Sequence, residues 1–241
     1  MKRVRRISPG DRPIVAAGGV LMAITTLLAF YLALGRAGPI ILAFSFWGPL
    51  LPLRYLGWKF VHPYLNRHPA RMPAVSTLLA EYILAFIATV TLSILARPWL
   101  MRWQWRLPRT VAWLGFPLLT VTFLIWYAMT RQLGWKFRTV GMAEMERRGA
   151  PLVTGGIYAY TRHPEYLSEP ICLLGLLLLT GTPSLLLLLL LWVLFIYPVM
   201  TLEERHLVAR YGVQYRRYQR RTPQLIPRRP SMGRTVAEKR Y

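Results

Sequence analysis

Two clusters of side chains in the last third of the chain have types and spacing suited to holding a charged small molecule. The first runs Leu152-Val153-Thr154-Gly155-Gly156-Ile157-Tyr158 and continues as Ala159-Tyr160-Thr161-Arg162-His163-Pro164-Glu165-Tyr166. Paired glycines allow a tight turn, or close approach of the backbone to a ligand. Arg162 and His163 stand just before Pro164, and proline suits the first turn of a helix, where an N–H would lack a partner anyway. The free N–H groups of such a helix start favour a negative group such as a carboxylate. The second cluster, Glu203-Glu204, follows about 40 residues later and is expected to end a helix. A carboxylate at a helix C-terminus opposes the dipole, so a compensating partner is expected: Arg205, Arg162 or a bound cation.

The elements between the clusters decide whether they meet. Tyr166 to Leu179 and Leu185 to Thr201 are apolar runs separated only by Thr180-Gly181-Thr182-Pro183. That pattern predicts an antiparallel helical hairpin with a tight turn, whose two ends return to one membrane face. Arg162, His163, Tyr166, Glu203 and Glu204 are thereby expected in one neighbourhood. The first run is short for a full span of lipid, for which about 20 residues are needed.

Four further apolar stretches precede the hairpin: Ile14 to Leu34, Ile40 to Phe60, Val75 to Ala96 and Thr110 to Thr130. The second contains Pro49 and Pro52 and carries Arg54 near its end, so it reads as the weakest span, kinked or partly re-entrant. The expected fold class is therefore all-α: a polytopic membrane helix bundle of about six spans. A C-terminal cytoplasmic amphipathic helix should follow, because Leu207, Tyr211, Tyr215 and Tyr218 recur as one helical stripe with arginines on the other faces. The expected organisation is N-terminal transmembrane helices over 1–140, a cofactor-binding module over 141–227 and a basic tail over 228–241. The loop from Arg131 to His163, about 30 residues, is too long for a plain helix connection and is suspected of function.

Composition agrees with a membrane location. Of 241 residues 54% are hydrophobic, while 31 Lys and Arg face only 9 Asp and Glu, a net charge of +22. A soluble domain rarely combines these. Nucleic-acid binding would explain the charge, but not apolar runs that are insoluble outside lipid. Counting basic residues on alternate sides of six spans gives 26 against 5, which predicts an integral, multi-pass protein with both termini cytoplasmic. The preference for arginine over lysine suits a bacterial inner membrane, and the basic tail suits anionic lipids. Cys172 is alone, so it forms no intrachain disulfide, and no metal-ligand spacing surrounds it. Trp99, Trp103 and Trp105 read as an interfacial aromatic belt.

Taken in order, Gly156, Tyr158, Arg162-His163-Pro164, Tyr166, Glu203-Glu204, Leu207, Tyr211-Gly212, Tyr215, Tyr218, Pro223 and Pro227 resemble the isoprenylcysteine carboxyl methyltransferase and phospholipid methyltransferase superfamily. The resemblance covers about Pro151 to Pro227, a third of the chain. A second Arg-His-Pro at Arg67 to Pro69 has none of the flanking residues, so the order and spacing carry the resemblance rather than the tripeptide. It implies S-adenosyl-L-methionine as cofactor in a cytoplasm-facing pocket, contacted by Leu152, Val153, Tyr158, His163, Pro164, Glu165, Tyr166 and Glu203. It also implies Arg162, Glu203 and Glu204 as catalytic residues, and methyl transfer to a lipid or lipidated acceptor: an isoprenylcysteine-type carboxylate or a phospholipid amine.

Carboxyl methyltransferases of this group place an arginine one turn before the glutamate, where this chain has Val199 and Met200. That departure argues against a carboxylate acceptor and makes Val199 a candidate substrate contact. Glu169 is another, since its acid could pair with an amine head group or neutralise a nearby arginine. The competing readings are a membrane reductase similar to the sterol reductases, using NADPH, and a non-catalytic scaffold. The Glu-Glu pair and the tyrosine spacing fit the methyltransferase better than the reductase.

Overall fold

The structure, a computed structural model, describes Gly35 and residues 37–61, 63–64, 87–133 and 151–228. Among these residues all regular structure is helical and no strand occurs. The first long helix, α1, spans Ala37–Leu56 and continues through a wider turn over Gly57–Val61. The prolines therefore do not break it: an apolar setting leaves the rest of the i→i−4 ladder as the sole partner for the backbone, which keeps the helix intact around the two lost donors. Residues 87–95 are also helical. Arg109–Trp113 and α2 (Gly115–Leu133) together run 25 residues.

The expected hairpin is present. Its first arm is α3 (Pro164–Thr180), with His163 as the residue before the helix and Pro164 in its first turn. Gly181 ends the arm at φ +64°, a left-handed conformation open to glycine at little steric cost. Its second arm, α4 (Leu185–Tyr211), has 27 residues, about 40 Å at 1.5 Å per residue. Glu203 and Glu204 thus lie inside a helix rather than at its end. Leu207, Val208 and Ala209 carry the helical pattern on for two more turns, so the two acids do not oppose a C-terminal dipole.

Three described helices are long and apolar enough to cross a membrane: Ala37–Val61, Arg109–Leu133 and Leu185–Tyr211. The expected span over 14–34 lies outside the described residues, as does most of that over 75–96. Large apolar side chains such as Leu124, Leu190, Val193 and Leu194 are exposed on the outer faces, as lipid contact requires.

Inside, packing follows helical spacing. Ile40, Ala43, Trp47 and Leu51 form one buried stripe of α1 and belong to the same core as Leu185, Leu188, Trp192, Ile196 and Val199 of α4. In lipid such contacts are held by close van der Waals fit rather than by expulsion of water. Helices α2 and α3 pack closely, so that a Cβ at Gly115 would sit 2.5 Å from the Gly175 carbonyl oxygen. Two facing glycines permit that crossing.

The tyrosine stripe is not one helix. Gly212, at φ +53° and ψ −123°, separates α4 from α5 (Val213–Arg221). The break turns Tyr215 and Tyr218 into the protein, where both are buried, while Arg216, Arg217, Arg220 and Arg221 stay exposed.

Candidate active site

The open end of the hairpin brings Arg162, His163, Tyr166, Glu203 and Glu204 together, and divides them into two groups. In the first, the Arg162 guanidinium donates from Nε to Glu204 Oε1 (2.7 Å) and from Nη2 to Glu204 Oε2 (3.2 Å). Its Nη1 donates to the carbonyl oxygens of Gln219 and Thr222, at 3.0 and 2.5 Å. Glu204 also shares a 3.0 Å hydrogen bond with His163 Nε2 and accepts from Gln219 Nε2 at 2.9 Å. Both its carboxylate oxygens are thus satisfied by protein. Such bidentate, charge-assisted contacts are the strong class of hydrogen bond.

The backbone completes this latch. Arg162 N donates to Pro223 O (2.9 Å), His163 N to Gln224 O (3.1 Å) and Arg228 N to Tyr160 O (3.2 Å). The Thr161 hydroxyl donates to Gln224 O, and the Tyr218 hydroxyl to Tyr158 O at 2.6 Å. The chain after α5 is thereby fastened along residues 158–163. Burial raises the phenols of Tyr215 and Tyr218 above the ordinary tyrosine range; the nearby Glu204 carboxylate adds to this, and Arg162 opposes it. Both remain neutral hydroxyls at physiological pH.

The second group is looser. Tyr166 donates its hydroxyl to Glu203 Oε2 at 2.8 Å, and its ring stacks on the His163 imidazole, centroids 5.3 Å apart and planes 21° from parallel. His163 Nδ1 lies 3.8 Å from the same Glu203 oxygen. Among the described residues, Glu203 Oε1 takes no hydrogen bond. No side chain caps the start of α3, so the first N–H groups of that helix keep their donor capacity.

The remaining expected site residues divide similarly. Leu152 lines a cleft of about 450 Å³ with Thr154, Ala159, Gln214, Arg217, Tyr218, Arg221 and Thr222. Val153 is half-buried beside it in sequence. Tyr158 lies in the short 3-10 turn Gly156–Ala159. Gln132 of α2 braces that turn, with its amide oriented to donate to Gly155 O (3.0 Å) and accept from Ile157 N (3.1 Å). Gly156 stands at φ +58°, and a Cβ there would collide with the Gln132 amide. Val199 has no exposed surface among the described residues and belongs to the helical core. Glu169, only 3% exposed, neutralises an arginine: its Oε1 accepts from Arg54 Nη1 at 2.8 Å and its Oε2 from Trp192 Nε1 at 3.0 Å. Of the two fates open to Glu169, the arginine pairing is the one formed. Cys172 is buried, and no group of metal-ligating side chains occurs among the described residues.

Sequence reasoning missed three contributors. Arg54 read as a blemish in a weak span, although a charge within an apolar run is itself a signal of function. Gln219 and Gln132 carried no signal, because their roles depend on contacts between distant segments.

Comparison with known proteins finds similarity to membrane-associated methyltransferases over this part of the chain. Residues 110–214 match the family described as phospholipid methyltransferase. The chain is 39% identical over 98 residues to the protein-S-isoprenylcysteine O-methyltransferase of Schizosaccharomyces pombe, covering 40% of this chain and 41% of that protein. It is 29% identical over 156 residues to methanethiol S-methyltransferase 1 of Bradyrhizobium diazoefficiens, covering 55% and 51%. It is 35% identical over 82 residues to the nickel-cobalt-cadmium resistance protein NccN of Alcaligenes xylosoxydans xylosoxydans, covering 34% and 38%. The matches thus span about half or less of each relative's length.

Proposed function

We propose that the protein is an S-adenosyl-L-methionine-dependent methyltransferase acting on a lipid-phase acceptor, with its site at the cytoplasmic end of the hairpin. The observation that carries this reading is the Tyr166–Glu203–His163 cluster: a carboxylate with one oxygen to spare, beside two aromatic rings and an uncapped helix start. This donor set fits the cofactor. Glu203 suits an ammonium or ribose hydroxyls, and the start of α3 suits a carboxylate. Bound there, S-adenosyl-L-methionine supplies an electrophilic methyl carbon. The contribution of the chain is then mainly orientation, worth several kcal/mol when the reacting atoms are held in line. Arg162 and Glu204 act at one remove: their groups are consumed by the latch, so they position His163 and the chain after α5.

Relatives named for O-methylation and for S-methylation leave the acceptor atom open. Within this fold Val199 and Met200 are closed into the core, and the two arginines bonded to acids beside the cluster, Arg54 and Arg162, are already paired. That favours an uncharged or amine acceptor over a carboxylate.

Isothermal titration of the purified protein in detergent should show saturable S-adenosyl-L-methionine binding, lost in Glu203→Gln. Lipid extracts incubated with an isotopically labelled methyl donor should show label in one lipid class by mass spectrometry. Folded protein that binds NADPH and not the methyl donor would overturn the assignment.

A further inference from the structure

We infer that Arg54, on α1 and outside the matched module, is a positioning residue for the candidate site, acting through Tyr166. Three contacts carry this. The guanidinium carbon lies 4.9 Å from the centroid of the Tyr166 ring. Nη1 is held by Glu169 Oε1 at 2.8 Å, and Nη2 lies 3.6 Å from Glu165 Oε1. Glu169 is fixed in turn by the Trp192 indole N–H of α4.

The result is a chain across three helices, Trp192–Glu169–Arg54–Tyr166, that ends on the hydroxyl bonded to Glu203. The cation over the ring fixes where the Tyr166 plane lies, and so the direction in which its hydroxyl holds Glu203. A guanidinium is suited to this, since its planar face can lie against a ring while its edge hydrogen-bonds a carboxylate. The same pairing occupies Arg54, so its role is to set geometry rather than to grip an acceptor. It also gives α1 a part in the site, although α1 supplies none of its directly bonding groups.

The test rests in one arm on the methyltransferase reading and in the other stands free of it. Arg54→Met alone leaves the Glu169 carboxylate buried without its cation, so misfolding would confuse the result. The pair Arg54→Met/Glu169→Met removes both charges together. It is expected to melt within a few degrees of wild type, yet to bind S-adenosyl-L-methionine about tenfold more weakly, the size expected for coupled neighbours. Adding Tyr166→Phe to that pair should weaken binding no further than Tyr166→Phe alone. Wild-type affinity in the paired variant, or losses that multiply in the triple variant, would overturn the inference. If wild-type protein binds no S-adenosyl-L-methionine, the proposed function fails, and positioning is read from melting temperatures instead. The shift caused by the paired variant should then be smaller in the Tyr166→Phe background, and equal shifts in both backgrounds would refute it.

Discussion

Glu203 and Glu204 are adjacent on one helix yet live in opposite circumstances. Glu204 points into the latch, where Arg162, His163 and Gln219 occupy both its oxygens. Glu203 points toward Tyr166 and keeps Oε1 unengaged among the described residues. A carboxylate with every lone pair satisfied by protein rigidifies a fold; one with a free oxygen can receive a ligand. The contrast separates an acid bonded on both oxygens from one that keeps an oxygen unengaged among the described residues, within a motif that reads as a uniform pair. Successive helical residues point about 100° apart, which suffices to place the two acids in different compartments.

The largest effect should come from breaking the latch. Arg162→Met strands Glu204 and two carbonyl oxygens in a site where the pair is only 10% and 12% exposed. Removing one partner of such a pair costs about 3 kcal/mol or more. The melting temperature in detergent should fall steeply, and Arg162→Lys should recover little, because an ammonium cannot reproduce the two-pronged contact. A variant that melts like wild type would mean that the latch does not hold the chain after α5.

The acids themselves should show the reverse division of effects. Glu203→Gln should leave the melting temperature nearly unchanged while lowering methyl transfer by about 100-fold, roughly 2.7 kcal/mol of lost stabilisation. Glu204→Gln should lower stability by about 1–2 kcal/mol, the value of a weakened charged hydrogen bond. Its activity should fall only in proportion to the folded fraction. Identical profiles for the two variants would dissolve the distinction between them.

How much of this arrangement was legible beforehand follows from what periodicity encodes. The hairpin was legible, because two apolar runs joined by Thr180-Gly181-Thr182-Pro183 have few other solutions. The meeting of Arg162 and His163 with the acids followed from it. The length of α4 was not, since composition turns polar at Thr201 while helical propensity does not. The break at Gly212 was hidden for a related reason: Leu207, Tyr211, Tyr215 and Tyr218 keep helical spacing across a residue whose positive φ only a structure reveals. Arg54 was visible as a charge in an apolar run, but nothing local linked it to Glu169, 115 residues away.

Gly156→Ala probes the turn on the latch side of the comparison. A side chain at φ +58° costs about 1–2 kcal/mol, and here the added carbon also displaces the Gln132 amide. The predicted loss therefore exceeds that of Gly155→Ala, where the space is open and φ is −95°. Measured side by side in thermal unfolding, equal losses would show that Gln132 can move aside freely.

The smallest effect sharpens the comparison through pH. Tyr218 holds its proton more tightly in the folded state than in the unfolded chain, because burial disfavours the phenolate. For a group with a raised folded pKa, stability is complete below the unfolded value, near 10 for tyrosine. It is then lost as pH rises further, because the unfolded chain releases a proton that the folded one retains. Unfolding free energy should therefore decline above about pH 10, by up to about 1.4 kcal/mol per pH unit for each such tyrosine. Tyr218→Phe should cost about 1 kcal/mol at neutral pH through loss of the hydroxyl bond to Tyr158, yet show a shallower alkaline decline than wild type. Lysine and arginine titration is common to both proteins and cancels in the difference. A parallel decline in the two would place the Tyr218 hydroxyl in water, and would open the latch that the rest of the comparison treats as closed.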